Sequence, residues 1–119
     1  YDSEERVWGK FYNLFQDKRV ILIELIVLPG KGMSLQRHFY RDEIWVLSKG
    51  ECIVNFSDLS PDDTKEFHLK EHDTFSVKKK EWHQITNPFE HECKIVEVQY
   101  GQETNEDDIE RHSYYKNNE

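Results

Sequence analysis

Gln36, His38, Glu43 and His83 are the side chains of this sequence whose types and spacing suit one shared chemistry. The first three fall within Ser34-Leu35-Gln36-Arg37-His38-Phe39-Tyr40-Arg41-Asp42-Glu43-Ile44-Trp45, and the fourth within Glu81-Trp82-His83-Gln84-Ile85-Thr86-Asn87-Pro88. Strand side chains alternate with a period of two, so Gln36 and His38 point to the same face. Glu43 follows after a short corner and opens the next strand, and a later strand carrying His83 closes the set. An amide oxygen, two imidazoles and a carboxylate suit one divalent ion of borderline softness: zinc first, with manganese, cobalt, nickel or iron(II) as alternatives. Four side chains leave positions open on a five- or six-coordinate ion, as a catalytic site requires.

The elements that must hold these residues read as strands divided by turns. Val20 to Leu28 is a nearly unbroken apolar run that Pro29-Gly30-Lys31-Gly32 ends. Glu43–Leu47 runs through Ser48-Lys49-Gly50 into Glu51–Phe56, and the polar stretch Asp58–Thr64 turns that arm into Lys65–Leu69. Thr74–Lys78, Gln84–Thr86 and Lys94–Tyr100 are further short strands. This pattern predicts an all-β closed barrel or jelly roll. Two pieces look helical: a turn near Trp8–Phe15, and Asn105–Arg111, where Asn105 caps and acidic residues favour the helix N-terminus. Glu97 and Gln99 alternate with Val96 and Val98, which turns them toward the barrel interior. A carboxylate buried there has to be paired or hydrogen-bonded.

At 119 residues the chain is a single domain, residues 1–119. Sixteen basic against twenty-four acidic residues give a net charge of −8, which argues against nucleic acid as partner. No apolar run reaches the roughly 18 residues of a membrane span, and no signal peptide is visible, so a cytoplasmic location without membrane contact is expected. The chain begins at Tyr1, not at an initiator methionine, so its natural N-terminus is expected to lie further upstream. Cys52 and Cys93 both lie in strand-like segments and read as reduced core thiols. Trp8, Trp45 and Trp82 read as packing, and His68, His72, His91 and His112 as surface residues.

Seven segments together resemble the cupin domain of type II phosphomannose isomerases, the domain also found fused behind mannose-1-phosphate guanylyltransferases. They are Arg6-Val7-Trp8-Gly9, Pro29-Gly30, Ser34–His38, Arg41–Trp45, His83–Pro88, Glu97-Val98-Gln99-Tyr100-Gly101 and Glu106-Asp107-Asp108-Ile109-Glu110-Arg111. The resemblance implies a double-stranded β-helix, the cupin jelly-roll barrel, around a central metal. It also implies interconversion of mannose 6-phosphate and fructose 6-phosphate. Cupins place the glutamate seven residues after one ligand and five after the next, and those offsets from Glu43 select Gln36 and His38. The chain departs from the family at three places. Tyr40 stands where a second histidine is usual and becomes a candidate pocket residue through its phenol. Lys78-Lys79-Lys80 replaces a Pro-x-Gly turn, and Ile23-Glu24 replaces a Lys-Arg pair.

The activity that best joins these features is aldose–ketose isomerisation, in which a proton moves between adjacent carbons through an enediolate. A metal supplies Lewis acidity, and Glu97 or a hydroxide supplies the base. Arg111 and Arg41 are the candidates to hold phosphate or steady the enediolate, with Lys78 and Lys80 as further substrate cations. Other metal-dependent chemistry, such as an oxygenase or an isomerase of an uncharged sugar, and a non-catalytic sugar-binding role remain open. A homodimer is expected, because the Val20–Leu28 strand is apolar on both faces and the segment around Trp8–Phe15 is placed to cross to a partner.

Overall fold

Alternation of apolar and polar residues carries through most of the chain, and the computed structural model, which describes residues 2–116, folds it into two antiparallel sheets. The strands are β1 (Asp2–Arg6), β2 (Gly9–Gln16), β3 (Val20–Val27), β4 (Leu35–Arg37), β5 (Arg41–Lys49), β6 (Cys52–Ser57), β7 (Lys65–Leu69), β8 (Thr74–Val77), β9 (Trp82–Thr86), β10 (Cys93–Gly101) and β11 (Glu110–Ser113). One sheet runs β1-β2-β3-β10-β5-β8 and the other β11-β4-β9-β6-β7, the two walls of a cupin jelly roll. No helix among the described residues is long and apolar enough to cross a membrane.

The two helical expectations are corrected. The segment at Trp8–Phe15 is β2, paired with β1 on one side and β3 on the other. Gly9 sets that strand in place: its φ is +153°, and a Cβ there would meet the Ile26 carbonyl oxygen. In the segment 105–111, the Asn105 side chain accepts from the Asp107 amide at 2.9 Å, but there is no helix for it to cap. A turn follows in place of a helix, because the Asp108 carboxylate is taken up across the barrel and Glu110–Ser113 pairs with β4.

The inward rows of β5 and β10 run from polar to apolar, and that of the adjacent β3 is apolar throughout. On β5 the row is Arg41, Glu43, Trp45, Leu47; on β10 it is Gln99, Glu97, Ile95, Cys93; on β3 it is Ile21, Ile23, Leu25, Val27, and all twelve residues are buried. One end of the barrel is therefore a dry core of Val27, Leu47, Cys52, Val54, Ile85, Cys93 and Ile95. Cys52 and Cys93 are free thiols within it. The other end gathers the buried polar groups. Outside, the first sheet carries an apolar strip: Phe15, Leu22, Val98 and Ile44 stand side by side across four strands, with Val46 and Val96 in the next row beside Glu24. Ile44 is 38 % and Val46 37 % exposed.

Candidate metal centre

Three strands bring His38, Glu43 and His83 to the polar end of the barrel. His38 stands just past β4, Glu43 is the third residue of β5, and His83 sits on β9 opposite Gln36. One ligand atom from each lies within 4.8 Å of the others, and all three residues are buried. His38 Nε2 is 3.3 Å from Glu43 Oε2, and His83 Nε2 is 3.8 Å from Glu43 Oε1. Such separations suit donors gathered on one ion with bonds of about 2.1 Å.

The tautomers follow from the hydrogen bonds. His38 Nδ1 lies 2.6 Å from the Asp108 carbonyl oxygen and His83 Nδ1 lies 3.0 Å from that of Glu81. A carbonyl only accepts, so each Nδ1 carries the proton and each Nε2 presents a lone pair to the centre. Burial pushes His38 down to about 4 and lowers His83 as well, against the pull of Glu43, so both rings are neutral at pH 7. Burial would raise Glu43, but His83, Arg41, His38 and the Trp45 indole N–H outweigh it and hold the carboxyl down at about 2. His83 Nε2 is fully buried with no hydrogen-bond partner. An orphaned buried acceptor costs about 1–3 kcal/mol, and a divalent ion removes that cost. Neutral imidazoles, an ionised carboxylate and an orphaned lone pair thus fit a divalent metal.

Gln36 is buried beside them, with its Nε2 3.5 Å from His38 Nε2 and its Oε1 accepting from the Ser34 hydroxyl at 2.7 Å. Ligation through its oxygen requires a half-turn of the amide, after which Ser34 accepts from the NH2 group. Arg41 is also buried. Its Nε and Nη2 donate to Glu43 Oε2 at 2.9 and 2.8 Å, and Nη2 reaches His38 Nε2 at 3.0 Å. Glu97, buried on β10, accepts from Gln99 Nε2 at 2.6 Å. Burial first, and then the Glu43 charge, raise its pKa well above the usual carboxylate range.

These groups open onto a cavity of about 1270 Å³ that Gln36, His38, Arg41, Glu43, His83, Glu97 and Gln99 line together with Arg111. Arg111 is an exposed residue of β11 on that lining. Ile23 also lines it, so an aliphatic wall stands at the first position of the family's usual Lys-Arg pair, while Glu24 points outward. Three expected substrate residues lie elsewhere. Tyr40 is exposed and off the cavity lining. Lys78 and Lys80 belong to an exposed turn, tied down through Lys78 N–H to Glu81 and Lys80 N–H to the His38 carbonyl. The side chains that alternation cannot bring to the cavity are those of turns, whose direction is set by local backbone geometry.

The residue that sequence reasoning passed over is Asp108. Its carboxylate accepts from the Phe39 and Tyr40 amides at 2.8 and 2.9 Å while its own carbonyl fixes the His38 ring. Its presence in the Glu-Asp-Asp-Ile-Glu-Arg segment was the available signal, but nothing local separates a latch from a solvated acid. Trp45 does more than pack, since its indole N–H donates to Glu43 Oε1 at 3.0 Å.

Among solved structures, the fold is similar to the capsular polysaccharide assembling protein CapF of Staphylococcus aureus, with a TM-score of 0.80 and 15 % identity over 93 % of this chain and 34 % of that one. It also resembles a cupin superfamily protein of Desulfitobacterium hafniense, with a TM-score of 0.64 and 19 % identity over 76 % and 74 % of the two chains. Among curated proteins, the chain is 33 % identical over 106 residues to the alginate biosynthesis protein AlgA of Pseudomonas aeruginosa, covering 89 % of this chain and 21 % of the relative. It is 32 % identical over 106 residues to a mannose-1-phosphate guanylyltransferase of Sinorhizobium fredii, covering 89 % and 20 %. The chain thus spans about a fifth of the length of these relatives. The family model for the mannose-6-phosphate isomerase C-terminal domain matches residues 2–114, and with that match across nearly the whole chain, the protein belongs to the mannose-6-phosphate isomerase C-terminal family of cupins.

Proposed function

We propose that the domain is a metal-dependent sugar-phosphate isomerase that interconverts mannose 6-phosphate and fructose 6-phosphate. The observation that carries this reading is the convergence of two imidazole lone pairs and one ionised carboxylate at the base of an open cavity. Family membership supplies the substrate class. His38, Glu43 and His83, with Gln36 after its amide turns, would hold one divalent ion. Its contribution is Lewis acidity toward sugar oxygens and the negative charge that develops on them.

The chain's own groups account for the rest. In the aldose-to-ketose direction the C2 proton leaves to a base and returns to C1, while the hydroxyl proton on O2 passes to O1. Glu97 is the candidate to carry a proton, since burial raises the affinity of its carboxyl for protons. Arg41, beside the ligands, is placed to steady the enediolate, and Arg111 to meet the phosphate. Ile23 and Trp45 give this part of the cavity an apolar wall.

One observation favours a second reading, a metallo-cupin acting on an uncharged sugar. Ile23 occupies a position where the family usually has a base, and Asp17, Glu103, Glu106 and Asp107 line the cavity beside its cations. The test is a coupled assay of fructose 6-phosphate formation from mannose 6-phosphate, run after chelation and after reloading with zinc, manganese or cobalt. Turnover that returns with metal supports the isomerase. No turnover of mannose 6-phosphate, with conversion of free mannose, supports the second reading.

A further inference from the structure

We infer that Arg41 is an internal cation that competes with the divalent ion for Glu43 and His38, so that metal loading requires its guanidinium to move. This inference rests on the metal reading above and adds a step to it. The geometry carries it. Both donors of Arg41 converge on a single oxygen, Glu43 Oε2, at 2.8 and 2.9 Å, and Nη2 reaches His38 Nε2 at 3.0 Å. The proton on His38 is committed to the Asp108 carbonyl, so what Arg41 meets at Nε2 is the lone pair. The same lone pair and the same carboxylate are what an ion ligated by His38 and Glu43 would take.

A lone pair cannot serve a guanidinium hydrogen and a metal together. A cation held at 3 Å from a ligand atom also repels an ion bound to that atom. Two features make Arg41 a strong occupant. It is buried, so its attraction to Glu43 is little screened, and the forked guanidinium places two donors at once on one oxygen. Glu43 without a cation would be an uncompensated charge in a fully buried position, which Arg41 prevents. The displaced side chain has an outlet, because Arg41 lines the open cavity with Arg111. Metal loading thereby delivers a second guanidinium to the space an anionic substrate enters.

The consequence is a thermodynamic cycle. Whatever Arg41 contributes to the stripped protein is withheld from the metal affinity, so the two must change in opposite directions when Arg41 is removed. The test measures cobalt(II) and zinc affinity by competition with a chromophoric chelator in the wild type, Arg41→Met, Arg41→Lys and His83→Ala, together with thermal melts in chelator and in excess zinc. Arg41→Met should bind metal at least tenfold more tightly than wild type and should melt lower than wild type only in chelator. Arg41→Lys, which keeps a charge but loses the fork, folds without leaving Glu43 unpaired and should fall between the two. Unchanged or weaker metal affinity in both Arg41 variants overturns the competition and leaves the metal reading standing. Failure of wild type, Arg41→Met and Arg41→Lys alike to bind metal overturns both. Binding that survives in His83→Ala at wild-type affinity moves the ion to other ligands and overturns the competition as drawn.

Discussion

Lowering the pH from 7 to 5 should destabilise the metal-stripped protein by roughly 2 kcal/mol through His38 alone. In the folded chain burial holds this imidazole at about 4, against 6.5 when it is exposed. Between those values the unfolded chain binds one more proton than the folded one, so stability rises with pH by about 1.4 kcal/mol per pH unit. The contribution is fully present above pH 6.5, falls as the unfolded histidine protonates, and is exhausted near pH 4 with a total loss of about 3 kcal/mol. His83 is lowered for the same reason and adds to the loss in the same direction. The assay is urea unfolding after exhaustive chelation, at half-unit steps from pH 7.5 to 4.5, with His38→Asn as control. Asparagine places an N–H near the Nδ1 position, keeps a donor for the Asp108 carbonyl and does not titrate in this range. Acidic groups elsewhere titrate alike in both proteins, so the difference between the two slopes isolates His38. Equal slopes, or a wild type as stable at pH 5 as at pH 7, would refute the buried neutral imidazole and the lone pair it offers.

Three further outcomes are expected. His83→Ala should lose the divalent ion while keeping the strand content of the wild type by circular dichroism, since among the described residues the ring's one hydrogen bond is from Nδ1–H to the Glu81 carbonyl; unchanged metal content by elemental analysis would remove it from the ligand set. Asp108→Ala should cost about 2–3 kcal/mol, because two amide bonds to a carboxylate vanish, and should weaken metal binding tenfold or more as the loop carrying His38 loosens; denaturant melts and chelator competition read the two effects separately. The apolar outer face of Phe15, Leu22, Ile44, Val46, Val96 and Val98 should pair with a second copy of the chain. Four strands by about 20 Å bury about 400 Å² per copy, or about 800 Å² in all, below the roughly 1,200 Å² at which specific interfaces begin, so a dimer through this face alone is weak. Light scattering should give a dimer mass that Val46→Lys halves, and a wild-type monomer at micromolar concentration would sink the idea.

Much of this protein was legible without coordinates. Period-two alternation in Arg41–Lys49 and Cys93–Gly101 fixes which residues share a wall, but hydrophobicity alone does not say which wall is inside, because the buried wall turns polar at Glu43 and Glu97 while Ile44, Val46, Val96 and Val98 face outward. Alternation put Glu97 and Gln99 on one wall and Gln36 and His38 on another, while the offsets to Glu43, which lies past a corner on the other sheet, were legible through the resemblance to cupins. The strand at Gly9–Gln16 was not legible, since its pairing with β3 is decided by a distant segment and by a glycine whose requirement appears only when Ile26 lies against it. Neither was the latch at Asp108, seventy residues from the ring it orients. Tyr40, Lys78 and Lys80 lie in turns, where backbone torsions and not periodicity aim the side chain. Sequence by itself determined which residue types were available and which wall each strand position would face. Only the tertiary structure decided that Arg41 shares the lone pair of His38 and the carboxylate of Glu43, because that contact depends on how a corner closes between two sheets, and no local periodicity encodes it.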